Sequence, residues 1–580
     1  NVDFEKERKF VAEVDLNNHV AHLAELSKKI IRSSFIALVE NDKEHEEIAK
    51  LSIKKALEFN EWDYFYEDIT NKPIGLQRGP EITIAMCLAY DWLKEKLSDK
   101  EKDDIIKGIV EKGVPTCYNS LYYMRHPEKS KRWYTLPNSK IKFEANTTRW
   151  PYFLNRTNLK FIPVAGLTIA SVLLHGKHPQ ARKWLELSRW GVETTAKVFY
   201  KDGSYDENVG YWDYSIRHII MAIELLKRNL KIDYSSALNF KGSIKFGLAM
   251  MSPFKNYKGA VINFGDCGFN YSFSTGFWVA KEFKDELSQH AAEVSDGNRE
   301  IFSLIYYNQD LKAKLPEKKD LDIKFDLGWI VSRTGWSEND SVLAFRSGEP
   351  ANHEHADRNS FIFQAFGDRL LHDPMGAAYL ASEKHWMLRL TEAHNAVLID
   401  GKGHFFHDGS EGTNMTTAKA KILHYKAKYG VTEIVSDATQ PYQLSDKDVK
   451  KVRRSLFFFK PDIILLVDEV EKKETASTIQ ARFHPFNQDD KAEVLVKEPV
   501  GFEISRPYAK LYGKVFSSQG VSVAASRLDI PEEEIKFSAN VGLRKQKFPF
   551  VEISTANSAK KLLLLTVLSA QKSEITAIPD

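Results

Sequence analysis

The sequence predicts an α+β multidomain chain, with a helical N-terminal half over residues 1–315 followed by an antiparallel β-sheet half of sandwich type over 316–580. Three observations predict it. Apolar residues recur at helical spacing as far as about residue 315, and beyond 325 they fall into period-two, β-branched and aromatic runs. Between the two regimes lies a charged stretch, 314–324, poor in large apolar groups. A chain of 580 residues also exceeds one ordinary core, so two or three domains are expected, with a smaller C-terminal subdomain from about 490.

In the first half, 20–26, 48–59 and 82–93 read as amphipathic helices. Ser98 and Glu101 form a capping box ahead of Ile105, Ile106 and Ile109. Further helices are expected over 163–174, 179–198, 211–230 and 235–251, with no strands between them. Helices of similar length on short connections stack as a bundle or close into an (α/α) toroid. In the second half, Trp329-Ile330-Val331-Ser332, Val342-Leu343-Ala344-Phe345, Leu456-Phe457-Phe458-Phe459, Ile463-Ile464-Leu465-Leu466-Val467 and Leu562-Leu563-Leu564-Leu565 read as strands.

Composition excludes several functions. The 82 basic and 79 acidic side chains nearly cancel, which argues against a nucleic-acid partner. The most apolar stretch, 161–174, is shorter than the roughly 20 residues of a spanning helix and contains Pro163 and Gly166, so no membrane span is expected. Cys87, Cys117 and Cys267 have no tight spacing, which indicates neither a disulfide framework nor a cysteine metal site. The chain begins at Asn1 with no apolar signal region, as a mature secreted or periplasmic protein does, and export is the expectation. Oligomeric state leaves no mark in the sequence.

Chemistry concentrates in three segments. In His353-Glu354-His355-Ala356-Asp357, the two histidines precede a β-like run, and an extended chain would point them the same way, one toward metal and one toward substrate. Asp373 closes the next apolar run and His394 opens another, so His355, Asp373 and His394 can converge as a two-imidazole, one-carboxylate site of the kind Zn²⁺ accepts. The second segment runs from Arg149 to Asn158, where Asn155, Arg156 and Asn158 stand at a helix entrance and can hold a carboxylate or cap the helix. The third, Tyr205 to Tyr214, sets Tyr and Trp rings at the start of a helix, suited to packing on sugars and to placing a phenol at a reacting atom.

Together these segments resemble the heparinase II/III-like polysaccharide lyases, most specifically in His353-Glu354-His355-Ala356-Asp357-Arg358-Asn359-Ser360-Phe361, Asp373-Pro374-Met375-Gly376 and His394-Asn395. The resemblance implies an (α/α) toroid joined to antiparallel sheets, with the site between them. It implies a catalytic His353, a reactive phenol on Tyr211, and Asn158 as the amide that binds the uronate carboxyl. Many relatives carry an aromatic residue after that asparagine where this chain has Leu159, so Asn155 is a rival. It also implies zinc on His355, Asp373 and His394 in a structural role, and no organic cofactor.

The expected reaction is β-elimination on a uronate-containing polysaccharide. The uronate carboxylate must be neutralised, the C5 proton removed and the departing C4 oxygen protonated, leaving a 4,5 double bond. Arg217, Tyr214 and Arg358 are further substrate-binding candidates, and the arginines tilt the expected substrate toward a glycosaminoglycan, with alginate next. Two other functions compete. A glycoside hydrolase could draw carboxylates from Asp206, Glu207 or Asp213, and a non-catalytic polysaccharide-binding protein would need only the aromatic faces.

Overall fold

The computed structural model describes residues 2–140, 146–268, 273–295, 300–374, 387–406, 416–532 and 548–573; Met375 and Gly376 of the motif lie outside them. The helical half is built around the helix Phe161–Leu173, whose sequence FIPVAGLTIASVL is apolar on every face and is buried through Ser171. Arg78–Trp92, Val114–Arg125, Ala181–Glu193 and Val209–Leu230 pack around it. The capping box at Ser98 is present, opening the helix Asp99–Gly108. Val209–Leu230, the longest of these helices, is capped by the Asn208 side chain and buries Trp212, Ile216, Ile219 and Ile223 along one stripe.

One expectation fails here. The helical half is not strand-free, because Phe65–Glu67 pairs with Pro73–Ile74 and Trp133–Thr135 in a small antiparallel sheet. Strands of two or three residues are too short to show a period in sequence.

The last helix of this half, Ile301–Tyr306, and the first strand of the next, Asp322–Lys324, flank the charged connection. Five antiparallel strands follow as a meander: Asp322–Lys324, Ile330–Arg333, Val342–Phe345, Phe361–Ala365 and Asp368–Leu371. Both faces of this sheet are covered. Val331, Val342, Ala344 and Ile362 belong to the helical core, whereas Ile330, Leu343, Phe361 and Phe363 face the second core, shared with a long outer sheet. Period two thus sorts alternate residues into two different cores.

The outer sheet has eight strands, including Val449–Phe459, Ile463–Lys472 and Lys561–Lys572. The strands Glu493–Lys497, Gly501–Ser505 and Ala509–Ser517, which follow residue 490, are hydrogen-bonded into this same sheet. A four-stranded sheet containing Val397–Ile399 and Ile479–Phe483 completes the β half. No helix among the described residues is long and apolar enough to cross a membrane. Cys87, Cys117 and Cys267 are buried and unbridged.

Candidate active site and metal centre

Two backbone turns bring the site together across the two halves. On the helical side, Asn208 takes φ 101° while its side chain accepts from the N–H groups of Gly210 and Tyr211, which starts the helix with Tyr211 in its first turn. On the β side, His353 takes φ 56° in the loop before the strand Phe361–Ala365. Such left-handed conformations cost energy for residues with a Cβ and persist only where surrounding contacts enforce them. At His353 the enforcing contact is Gly265-Asp266: the Asp266 N–H donates to the His353 carbonyl at 2.9 Å.

The result is a stacked pair. The Tyr211 and His353 rings lie 3.7 Å apart between centroids and 8° from parallel. Glu207, one turn ahead of Tyr211, is 1% exposed and links the pair to the asparagine: it accepts from the Asn158 backbone N–H at 2.7 Å and stands 3.5 Å from His353 Nε2. The Asn158 side chain is buried, yet neither Oδ1 nor Nδ2 has a hydrogen-bond partner. An amide left that way carries a penalty that a ligand would relieve. Burial, reinforced by Arg389, holds the His353 imidazolium down at about 3, against the opposing pull of Asp266, so His353 is neutral near pH 7.

Behind His353 the predicted ligand trio converges, fully buried. His355 Nδ1 and His394 Nε2 are 3.1 Å apart, and the Asp373 carboxylate oxygens lie 3.7 Å and 3.5 Å from them. Two nitrogens at about 2.0–2.1 Å from a tetrahedral ion would be roughly 3.3 Å apart. Both Asp373 oxygens are buried without a hydrogen-bond partner, which a cation would satisfy. The outer nitrogens are held as a metal shell requires: His394 Nδ1 donates to the Leu390 carbonyl at 2.7 Å, and His355 Nε2 donates to Asp266 Oδ1 at 3.0 Å. The residues therefore fit a bound metal ion.

Asp266 and Arg389 were not legible in the sequence. Asp266 receives His355 and the Arg389 guanidinium, and its second oxygen lies 4.0 Å from His353 Nδ1. Burial would raise its pKa, but Arg389, His355 and His353 hold it well below the usual carboxylate range. Its only local signal is its place in Gly265-Asp266-Cys267-Gly268, a turn pattern. Asn352, which donates to Glu207 at 3.2 Å, was also missed, although it adjoins His353.

The structure separates the remaining candidates. Arg156 is exposed and lines a cavity of about 980 Å³ between the halves, alongside Thr157, Asp206 and Asn352, each next in sequence to a residue of the cluster. Asn155 lies half-buried nearby, its Oδ1 without a partner. Three are not in the cleft. Tyr214 turns its hydroxyl to Glu81 at 3.3 Å, and Arg217 pairs with Asp213 at 2.6 Å and Glu300 at 2.8 Å. Arg358 is buried in the β half against Glu354 and the carbonyls of Glu349 and Ala418. His353 and His355 both face Asp266, at 4.0 Å and 3.0 Å, although a left-handed turn at His353 replaces the extended chain expected there.

Gly265→Ala tests the turn. A Cβ there would meet the His353 carbonyl oxygen at 2.5 Å in a residue at φ +71°. The variant is expected to lose at least about tenfold in turnover through displaced His353 while keeping its helical circular dichroism. Unchanged turnover would show that His353 tolerates the shift.

Residues 325–558 match the family described as Heparinase II/III-like, C-terminal. A crystal structure of heparinase III matches with a TM-score of 0.67 at 15% identity, over 94% of this chain and 76% of that one. The heparan sulfate lyase HepC from Pedobacter heparinus matches with a TM-score of 0.59 at 12% identity, over 97% and 77%. No curated protein matches by sequence. The helical half is accordingly an (α/α) toroid, residues 325–558 carry the match to the heparinase II/III-like C-terminal family, and the chain has the fold of heparinase III over nearly its whole length.

Proposed function

We propose that the protein is a polysaccharide lyase that cleaves an acidic, uronate-containing glycan by β-elimination. The observation that carries this reading is the stacked Tyr211–His353 pair beside the buried, unpartnered Asn158 amide. Asn158 Nδ2–H would donate to the uronate carboxylate, which lowers the charge opposing removal of the C5 proton. Neutral His353 is suited to take that proton; the electron pair left behind forms the C4–C5 double bond as the C4–O bond breaks, and the Tyr211 phenol protonates the leaving oxygen. Where proton and leaving group share one face of the sugar, Tyr211 can serve both transfers.

The cavity favours a glycosaminoglycan, with alginate next. Among the described residues, Arg149, Arg156, Lys197 and Lys419 line it with the carboxylates of Asp206 and Glu349, and Glu349 is already paired with Lys419. Phe405, Phe406 and Tyr200 add faces for sugar rings. We further propose that His355, Asp373 and His394 would hold zinc, which would anchor the loop that carries His353. A secreted or periplasmic location accords with a polymeric substrate.

Incubation with a panel of acidic polysaccharides is the test. Products absorbing in the ultraviolet through a double bond conjugated to the carboxylate are expected without any organic cofactor. New reducing ends lacking that absorbance would make the protein a hydrolase, and binding without any cleavage would make it a carbohydrate-binding protein.

A further inference from the structure

Glu207 has no part in the proton transfers above, yet its carboxyl group is engaged from both halves of the chain. Its Oε1 accepts from the Asn158 backbone N–H and from the Tyr205 hydroxyl, both at 2.7 Å. Its Oε2 accepts from Asn352 Nδ2 at 3.2 Å and lies 3.5 Å from His353 Nε2. The first two groups belong to the helical half and the last two to the β half. No Lys or Arg pairs with it among the described residues, so its desolvation is offset by these neighbours alone. The two residues at positive φ, Asn208 and His353, directly follow Glu207 and Asn352 in sequence, so each strained turn is pinned one residue away by this single hydrogen bond across the junction.

We infer that Glu207 is a positioning residue: its carboxyl group registers the helical half against the β half so that Asn158, Tyr211 and His353 address one sugar. The inference rests on the lyase reading. Burial pushes Glu207 up to about 8, with Asp206 adding to the rise, so near neutral pH the group is largely a neutral carboxyl that still accepts these hydrogen bonds. Tyr211 is set within the helical half by the Asn208 cap, whereas His353 is held from across the junction by the Asp266 N–H. Neither contact reaches Asn158. Among the described hydrogen bonds at the cluster, those of Glu207 reach from Asn158 to Asn352.

The test uses exchange of hydrogen-bond direction. In Glu207→Gln, the amide oxygen still accepts from Asn158 and Tyr205, but its NH₂ faces the Asn352 NH₂. Turnover is expected to fall about 30- to 100-fold, with KM within about threefold and the melting temperature little changed. Adding Asn352→Asp supplies an acceptor for that NH₂, and the double variant is expected to regain at least about tenfold. A crystal structure of Glu207→Gln should show His353 or Asn158 displaced relative to Tyr211. Turnover retained within threefold, failure of the double variant to recover, or unmoved side chains in that structure would each overturn the assignment. The crystallographic arm needs no turnover, so a wild-type protein that forms no unsaturated product would sink the lyase reading while the displacement still decides the role of Glu207.

Discussion

Tyr211→Phe is expected to lose about 10² to 10⁴ in turnover, the usual effect of removing a proton-transfer group. Its melting temperature should not move, because the ring that stacks at 3.7 Å on His353 remains and only the phenolic oxygen is lost. Initial rates followed by ultraviolet absorbance, paired with a thermal melt, give both readouts. Near-normal turnover would remove Tyr211 from the chemistry. Neighbouring tyrosines offer no replacement: the Tyr205 hydroxyl is held on Glu207 inside the core, and that of Tyr214 faces Glu81.

His355→Ala is expected to abolish stoichiometric metal and to destabilise the protein by about 3 kcal/mol or more, since it leaves the Asp373 carboxylate buried without the cation that balances it. Protein purified without chelator should carry about one equivalent of a transition metal, most naturally zinc, and His355→Ala less than about a tenth of that. Chelation of the wild type should lower the melting temperature in the same direction, because an ion bound only by the folded state stabilises it by mass action. A wild type without metal, melting no higher than the variant, would leave His355 as a structural histidine hydrogen-bonded to Asp266.

The long periodic elements and the ligand trio could be read from the chain. The helix Val209–Leu230 and the strands of the outer sheet announce themselves through period, and Asp373 and His394 through their places beside apolar runs. What escaped depends on irregular backbone or on distant pairing. A period-two argument could not foresee the left-handed turn at His353. Asp266 acts on a histidine 89 residues away, and nothing local records that contact. Arg358 looked available for substrate because nothing in the loop sequence announces its pairing with Glu354, four residues earlier. Tyr214 and Tyr211 are one turn apart, and only packing against Glu81 tells them apart.

The five-stranded sheet works as a party wall between two rooms. Because Val331 and Ile330, or Ile362 and Phe361, fill opposite cores, a change of volume in any of these strands is transmitted to the neighbour on the far side. Neither half is then a free-standing unit. Residues 2–315 expressed alone would lack Trp329, Val331, Val342, Ala344 and Ile362 from the floor of the toroid and should yield an expanded, dye-binding or insoluble product. In the whole chain the same wall is expected to make the two halves melt together in one transition.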